Sequence, residues 1–421
     1  MQRAVAILDV GKTRTKLSLW SEQGALLHRL DRANAATVLD GVAQLDRAGI
    51  ADWLIPALAD LGRRAEIKAI APVGHGAAAV LLDGDAPVCA LDYEAPIPPQ
   101  VEAVYAPQRD AFAATLSPRL PLGLNLGVQL FWLEQLHPGL WPGRGRALLW
   151  PQYWSFVLGG ERACEVTSLG CHSDLWRPLE RRFSDLAGRR GWVERLGQLR
   201  AAGEALGPVR RGLAAAAGLA PDCVVHCGLH DSNAALHAAR GFAELKGGAF
   251  SVVSTGTWFV CLAVGGRGPA SYDPARDMLA NVDVEGRPIP TARFMGGRDY
   301  ESWMGGAIGA APRLELLAEA AALGDWRASE PPLRATRAAL ELARRADRAL
   351  GLTAAEGPIL VEGRFAADPV LAASLAALRP GQPVFRSSLD DGVAWGALRL
   401  VLGETLPPAP LEPVAPADLD G

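Results

Sequence analysis

Asp231 opens the segment DSNAALHAAR (231–240), shortly after the strand-like run CVVHCG (223–228). A carboxylate at a strand end can take a proton from a hydroxyl, and phosphoryl transfer asks little more of a protein beyond alignment, metal and charge neutralisation. An aspartate at a helix start is also a common N-cap, so the residue alone leaves base and cap both open. Cys223, His226, Cys227 and His230 crowd the same stretch and raise the question of a metal. On a strand, Cys223 and Cys227 face one side and His226 the other. Four such ligands do not converge on a tetrahedral centre, and buried apolar cysteines are the better reading.

Two turns could hold an anion. In the first, Asp9-Val-Gly-Lys-Thr-Arg-Thr-Lys16, Gly11 lets backbone N–H groups approach phosphate, and Lys12, Thr13 and Lys16 can donate hydrogen bonds or charge. Only four lysines occur in the chain (Lys12, Lys16, Lys68 and Lys246), and two fall in this loop. Asp9, ending a strand, can hold a metal ion, most simply through water. In the second turn, Ser254, Thr255, Gly256 and Thr257 offer hydroxyls and a glycine. Either turn could be an ordinary surface hairpin. One in each half would clamp a nucleotide from both sides.

His75, between Gly74 and Gly76, and Asp92, in ALDYE, follow strand-like segments and are of the kind that bind sugar hydroxyls. A turn histidine and a strand-end aspartate are the plain alternatives. Glu362, Gly363, Arg364 and Asp368 lie in a loop joining a strand to a helix N-terminus, where a polar or anionic ligand is favoured. A generic strand–helix loop reads the same.

These groups need a frame. Residues 4–10, 15–21 and 24–30 read as strands, and 36–62 carry helical spacing. Residues 68–73 and 77–83 are strands around a GHG turn, and 205–222 reads as a helix ending in a loop. Residues 231–240 form a helix, 249–254 and 257–264 a hairpin, 357–362 and PVFRSS strands, and 368–378 and 392–403 helices. The tail from 406 is Pro-rich and expected to be irregular. The glycine-bearing hairpins at Gly11 and Gly256 stand near the start of each half, which suggests a duplicated architecture.

At 421 residues the chain exceeds one ordinary core, so two domains are expected, 1–222 and 223–421. A formal charge of −4 argues against nucleic acid or an anionic membrane as general partners. Six cysteines, no secretory-type leader and no apolar run of about 18 residues read as a cytoplasmic protein with free thiols.

In this order the pieces resemble the FGGY family of carbohydrate kinases, in the sugar kinase/actin/Hsp70 superfamily. Asp9-x-Gly11-x-Thr13-x-x-Lys16 and Ser254-Thr-Gly-Thr-Trp258 look like its two phosphate motifs. Gly228-Leu-His-Asp231-Ser-Asn-Ala matches the segment with the catalytic base, and GHGAAAVLLD the sugar-site strand pair. Gln129-Leu-Phe-Trp-Leu-Glu-Gln135 resembles K-L-x-W-L, Glu165-Val-Thr-Ser-Leu-Gly170 a T-E-x-S-x-A-S stretch, and VEGRFAADP the adenosine loop G-G-G-x-x-x-N-P. Three departures stand out. Lys12 replaces a usual Thr, the adenosine loop keeps only Gly363, and W-N-D-x-R appears as A-L-D-Y-E, keeping Asp92 but losing Trp and Arg.

The resemblance implies two α/β domains of RNase H-like, actin-like ATPase type with an interdomain cleft, each sheet mixed and five-stranded. It implies ATP and Mg²⁺, the metal near Asp9, phosphates on Gly11, Lys12, Thr13, Lys16, Ser254, Thr255, Gly256 and Thr257, and adenosine near Glu362, Gly363, Arg364 and Asp368. A small-molecule sugar would meet His75, Asp92 and Asp231, with Asp231 as base. The wording around Asp231 and Ser254 leans toward kinases of L-rhamnulose and L-fuculose; a homodimer is compatible. A non-catalytic sugar sensor, or a phosphatase or ATP hydrolase of the superfamily, is the alternative reading.

Overall fold

A computed structural model describes residues 1–39, 41–306 and 309–419. The chain divides into two compact units. The first comprises Met1–Ala238, Ala280–Pro288 and Asp391–Pro407; the second comprises Ala239–Leu279, Ile289–Asp390 and the stretch from Pro408 onward.

In the first unit, strand Arg3–Val10 is buried along almost its whole length, as a central strand covered on both faces must be. It pairs antiparallel with Arg14–Ser21, which pairs antiparallel with Leu26–Ala33. On its other side Glu66–Gly74 runs parallel, then Val224–His226 parallel, then Ala205–Pro208 antiparallel. The second unit repeats this succession of directions. Pro288–Phe294, Phe259–Val264 and Phe250–Thr255 are antiparallel neighbours, Ile359–Gly363 and Val384–Ser387 follow in parallel, and Leu411–Pro413 closes antiparallel. Both hairpins expected around Gly11 and Gly256 are therefore present, in equivalent places. Each sheet has seven strands rather than five, short added strands completing it.

Several expectations change. Thr37–Leu39 and Val42–Gln44 pair antiparallel, with Gly41 at φ +76°. The helix starts only at Arg47, capped by Asp46, whose side chain accepts the Gly49 N–H at 3.1 Å. β-branched Thr37 and Val38 explain why the helical spacing fails there. Ala205–Pro208 is a strand, and only Arg211–Ala217 is helical. Ala79–Asp83 pairs with Ala86–Ala90 and Gly145–Leu149 in a separate sheet. The tail supplies the strand Leu411–Pro413.

A boundary near 222 also moves. Val224–His226 and Leu229–His230 both pair with Glu66–Gly74, which ties this stretch to the first unit. Helix Gly392–Leu402 belongs there too. It packs so closely on helix Asp231–Ala239 that a Cβ at Gly396 would overlap the Ala234 carbonyl oxygen. The six cysteines are buried thiols outside any disulfide among the described residues. Among the described residues no group of three or more His, Cys, Asp or Glu is placed to hold a metal, and no helix is long and apolar enough to cross a membrane.

The first unit has a second apolar core, which includes helix Leu126–Leu136 and the sheet of Ala79–Asp83. A densely hydrogen-bonded carboxylate is buried beside it. Asp174, at φ +69°, accepts from Tyr105 Oη (2.7 Å), Arg109 Nε and Nη2 (both 2.9 Å), Ser117 Oγ (2.9 Å) and Asn125 Nδ2 (3.0 Å). The network ties Tyr105, Arg109, Ser117 and Asn125 to the segment that carries Cys171 and His172.

Candidate active site

Strand register brings the first unit's polar groups together. Asp9 lies opposite Val73, and Val10 opposite Gly74; Leu229 and His230 lie opposite the same two residues from the other side. Asp9, His75 and Asp231 therefore leave the carboxyl ends of neighbouring parallel strands, the edge at which open α/β sheets place their ligands. A break at Gly228 makes this possible. Its φ is +79°, and a Cβ there would strike the Pro72 carbonyl oxygen, so only glycine lets the chain bend and rejoin the sheet before Asp231.

Asp231 is the first residue of its helix. Its Oδ1 accepts the Ser232 N–H at 2.6 Å and lies 3.2 Å from His230 Nε2. The carboxylate thus engages its immediate neighbours on both sides. His230 is buried. Its Nδ1 is 2.6 Å from Asn233 Oδ1, and its Nε2 is 3.6 Å from Cys171 Sγ. Burial opposes its protonation, but the Cys171 thiolate and the Asp231 carboxylate outweigh it and push its pKa up to about 10. Burial likewise opposes ionisation of Cys171, yet His172 and His230 hold its thiol down at about 5.

Burial pushes the Asp9 carboxyl up to about 7; Lys16 opposes the shift, and the negative charges of Asp231 and Asp391 add to it. Lys16 Nζ lies 3.5 Å from Asp9 Oδ2 and 3.3 Å from Asp391 Oδ2. Asp391 is a residue that sequence reasoning missed. Its other oxygen caps helix Gly392–Leu402 through the Ala394 N–H at 3.0 Å. The Asp-Asp-Gly stretch at 390–392 announces a helix start, but nothing local announces a partner 375 positions away.

Lys12 points elsewhere than expected. Its ammonium lies 3.0 Å from Asp92 Oδ1, pairs with Glu94, and sits 5.0 Å from the centre of the Tyr93 ring. Asn34, also missed, holds the turn. Its Nδ2 donates to the Gly11 and Lys12 carbonyls (2.8 and 3.2 Å), and Thr15 Oγ1 donates to its Oδ1 (2.9 Å). Thr13 is exposed. His75 is buried, stacked on Trp150 at 5.6 Å and edge-on to Tyr93 at 4.8 Å. Burial holds its pKa down near 4, so the ring is neutral. Among the described residues neither ring nitrogen has a hydrogen-bond partner, which leaves one donor and one acceptor for a ligand.

In the second unit, Ser254 lies opposite Glu362, and Thr255 opposite Gly363, at the carboxyl ends of two parallel strands. Gly363 has φ +85°, and a Cβ there would strike the Thr255 carbonyl oxygen. The Thr255 hydroxyl donates to the Glu362 carbonyl (2.5 Å) and accepts the Phe365 N–H (2.9 Å). Thr255 therefore shapes the 362–365 loop, and its hydroxyl is already committed. Burial pushes Glu362 up against the hydrogen bond of Ser254. Gly256 donates its N–H to the Trp258 carbonyl at 3.0 Å, which closes the turn, and Thr257 is exposed. Arg364 turns away to Glu301 at 2.6 Å. Asp368 caps helix Pro369–Leu378 through the N–H groups of Val370 and Leu371 (2.9 and 3.1 Å). Glu362, Arg364 and Asp368 of the adenosine group thus have partners within the protein.

Residues 247–323 and 318–409 match the family model for the C-terminal domain of FGGY carbohydrate kinases. A carbohydrate kinase from Novosphingobium aromaticivorans is 40% identical over 98% of this chain and 97% of its own, with a TM-score of 0.91. The chain belongs to the FGGY carbohydrate kinase family. The same fold occurs in the xylulose kinases of Lactobacillus acidophilus (13% identity, TM-score 0.78) and Rhodospirillum rubrum (17%, 0.77), each covering 98% of this chain and 94% of its own. No curated protein sequence matches the chain. Membership makes it a sugar kinase, with ATP as phosphoryl donor and a small-molecule sugar as acceptor. None of these three structures is named as a kinase of L-rhamnulose or L-fuculose.

Proposed function

We propose that the protein transfers the γ-phosphoryl group of ATP to a hydroxyl of a ketose such as L-rhamnulose, L-fuculose or xylulose, in the cytoplasm. Asp231 acts as general base, each unit is an RNase H-like, actin-like fold, and the succession of strand directions common to both sheets supports that last point. The observation that carries the reading is the alignment of Asp9, His75 and Asp231 at the carboxyl ends of neighbouring strands. His75 and Asp92 meet sugar hydroxyls. Asp231 takes the proton of the attacking hydroxyl, whose oxygen bonds to the γ-phosphorus as the bond to the ADP oxygen breaks. The second unit carries the nucleotide, with Ser254, Gly256 and Thr257 at the phosphates and the loop shaped by Thr255 and Gly363 at the adenosine.

Mg²⁺ suits this donor set. A magnesium ion takes one or two carboxylates and completes its shell with water and phosphate oxygens. Asp9 is a half-buried carboxylate whose raised pKa marks unmet demand for positive charge. Asp9 would hold the ion, with Lys16 beside it; when bound, the metal neutralises developing phosphate charge.

An ADP-release screen across ketoses, pentitols and deoxyketoses, with the product position assigned by NMR, tests the proposal. Acceptor-dependent ADP release is expected, whereas phosphate release without acceptor would indicate a hydrolase. With the best acceptor, Asp92→Ala raises the sugar KM more than the ATP KM; equal rises in both would remove Asp92 from the sugar site.

A pH effect follows from Asp9. Its folded pKa is raised, so below about 7 the carboxyl is protonated and poorly suited to a cation, and above it the carboxylate is available. Apparent Mg²⁺ affinity should weaken about tenfold per pH unit below 7, with one proton released on binding. Calorimetry in buffers of differing ionisation enthalpy reads this release, and pH-independent binding would contradict it. The same shift opposes folding increasingly as pH rises from 3.8 to 7, so Asp9→Asn should melt higher than wild type at pH 8.

A further inference from the structure

We propose that Lys12 serves the acceptor rather than the nucleotide: with Asp92 and Glu94 it forms a fixed charge cluster that positions the sugar. The inference rests on the sugar-kinase reading above and reassigns one residue within it.

The two hairpin lysines divide their work. Lys16 lies between Asp9 and Asp391, whereas Lys12 pairs with Asp92 and Glu94 over the face of Tyr93. The Lys12 side chain is only 20% exposed, so much of its length is packed rather than free to swing. Both ends of the contact are held. Asn34 fixes the carbonyls of Gly11 and Lys12. On the other side, the Asp92 N–H donates to the Ala43 carbonyl (3.0 Å), the Tyr93 carbonyl accepts from the Gly123 N–H (2.9 Å), and Asp92 Oδ1 accepts the Glu94 N–H (2.8 Å). Among the described residues Lys12 is the only cation paired with Asp92 or Glu94. Sending it to a phosphate would leave two neighbouring carboxylates facing each other without compensation.

Lys12 and Glu94 are also two of the positions at which the chain departs from the motifs it resembles, with Lys for Thr and Glu for Arg. The two residues pair with each other. In this chain a cation from the hairpin meets a carboxylate of the 90–94 segment. In this arrangement Lys12 and the Glu94 N–H both occupy Asp92 Oδ1, which leaves Oδ2 to accept a sugar hydroxyl. Lys12 is therefore a positioning residue acting through Asp92.

The test is a charge-swap series assayed with D-xylulose, L-rhamnulose and L-fuculose. Lys12→Ala should raise the acceptor KM about tenfold or more, the effect of losing a charge-assisted contact, with little change in the ATP KM. Lys12→Arg should keep most of the affinity. K12E should be worse than K12A, and K12E/E94K should recover acceptor binding relative to K12E, a rescue that a general loss of structure would not give. A rise in the ATP KM at unchanged acceptor KM overturns the proposal, as does a folded K12E/E94K no better than K12E. ATP binding to K12A by calorimetry needs no acceptor. Unchanged affinity supports the assignment, and a tenfold loss makes Lys12 a phosphate ligand. A wild type that releases no ADP with any sugar would sink the kinase reading, while the nucleotide measurement still decides where Lys12 acts.

Discussion

Asp231→Asn lowers kcat by about 10²–10⁴-fold, the range that general base catalysis contributes, while ATP binding measured by calorimetry stays close to wild type. The substitution keeps the shape of the side chain and an oxygen for the Ser232 N–H, so the start of the helix is preserved. What it removes is the basic oxygen, together with the countercharge to His230 at 3.2 Å. Turnover near wild type would remove Asp231 from the role of base. Unchanged melting alongside lost turnover would separate chemistry from folding.

Asp174→Asn destabilises the first unit by about 3–5 kcal/mol, because removing one member of a buried ion pair leaves the other charge uncompensated. Asp174 is buried, and Arg109 approaches it through two nitrogens, each at 2.9 Å. Asparagine fills the same volume, so no cavity term enters, yet its amide nitrogen faces the guanidinium. Against a total stability of about 5–15 kcal/mol the change is large and should show as a marked fall in the urea midpoint. A shift below about 1 kcal/mol would mean that water replaces the carboxylate beside Arg109.

The sequence carried much of this architecture because the local signals agreed. Apolar runs at 4–10 and 249–254, each followed by a glycine turn and a second strand, are the two hairpins now seen at equivalent places. Asp231 was legible as a helix-opening residue after a strand, whereas the bend at Gly228 was not, because 223–228 reads as one continuous strand-like run. Other features were illegible for identifiable reasons. Lys12 was assigned by loop chemistry, but the partner of a lysine is decided by which carboxylates the fold brings within reach, and Asp92 and Glu94 stand some eighty positions away. Asp391 and Asn34 read as a cap and a loop polar residue, and their contacts with Lys16 and the Gly11 turn exist only in three dimensions. The boundary near 222 failed because the stretch after it pairs with Glu66–Gly74, a relation that no local composition signals.

The return of Asp391–Pro407 to the first unit bears on how the chain is made. Domains commonly fold in order as they leave the ribosome, the N-terminal one first. Here that order is interrupted. The earliest sheet can form once Leu229–His230 has been synthesised, but the helix that covers Ala234 with Gly396, and the carboxylate that neutralises Lys16, are encoded near the end of the message. During synthesis the nascent first unit therefore waits, with one apolar face open, until the second unit has been translated. Assembly of the first unit is thereby made conditional on translation of the second.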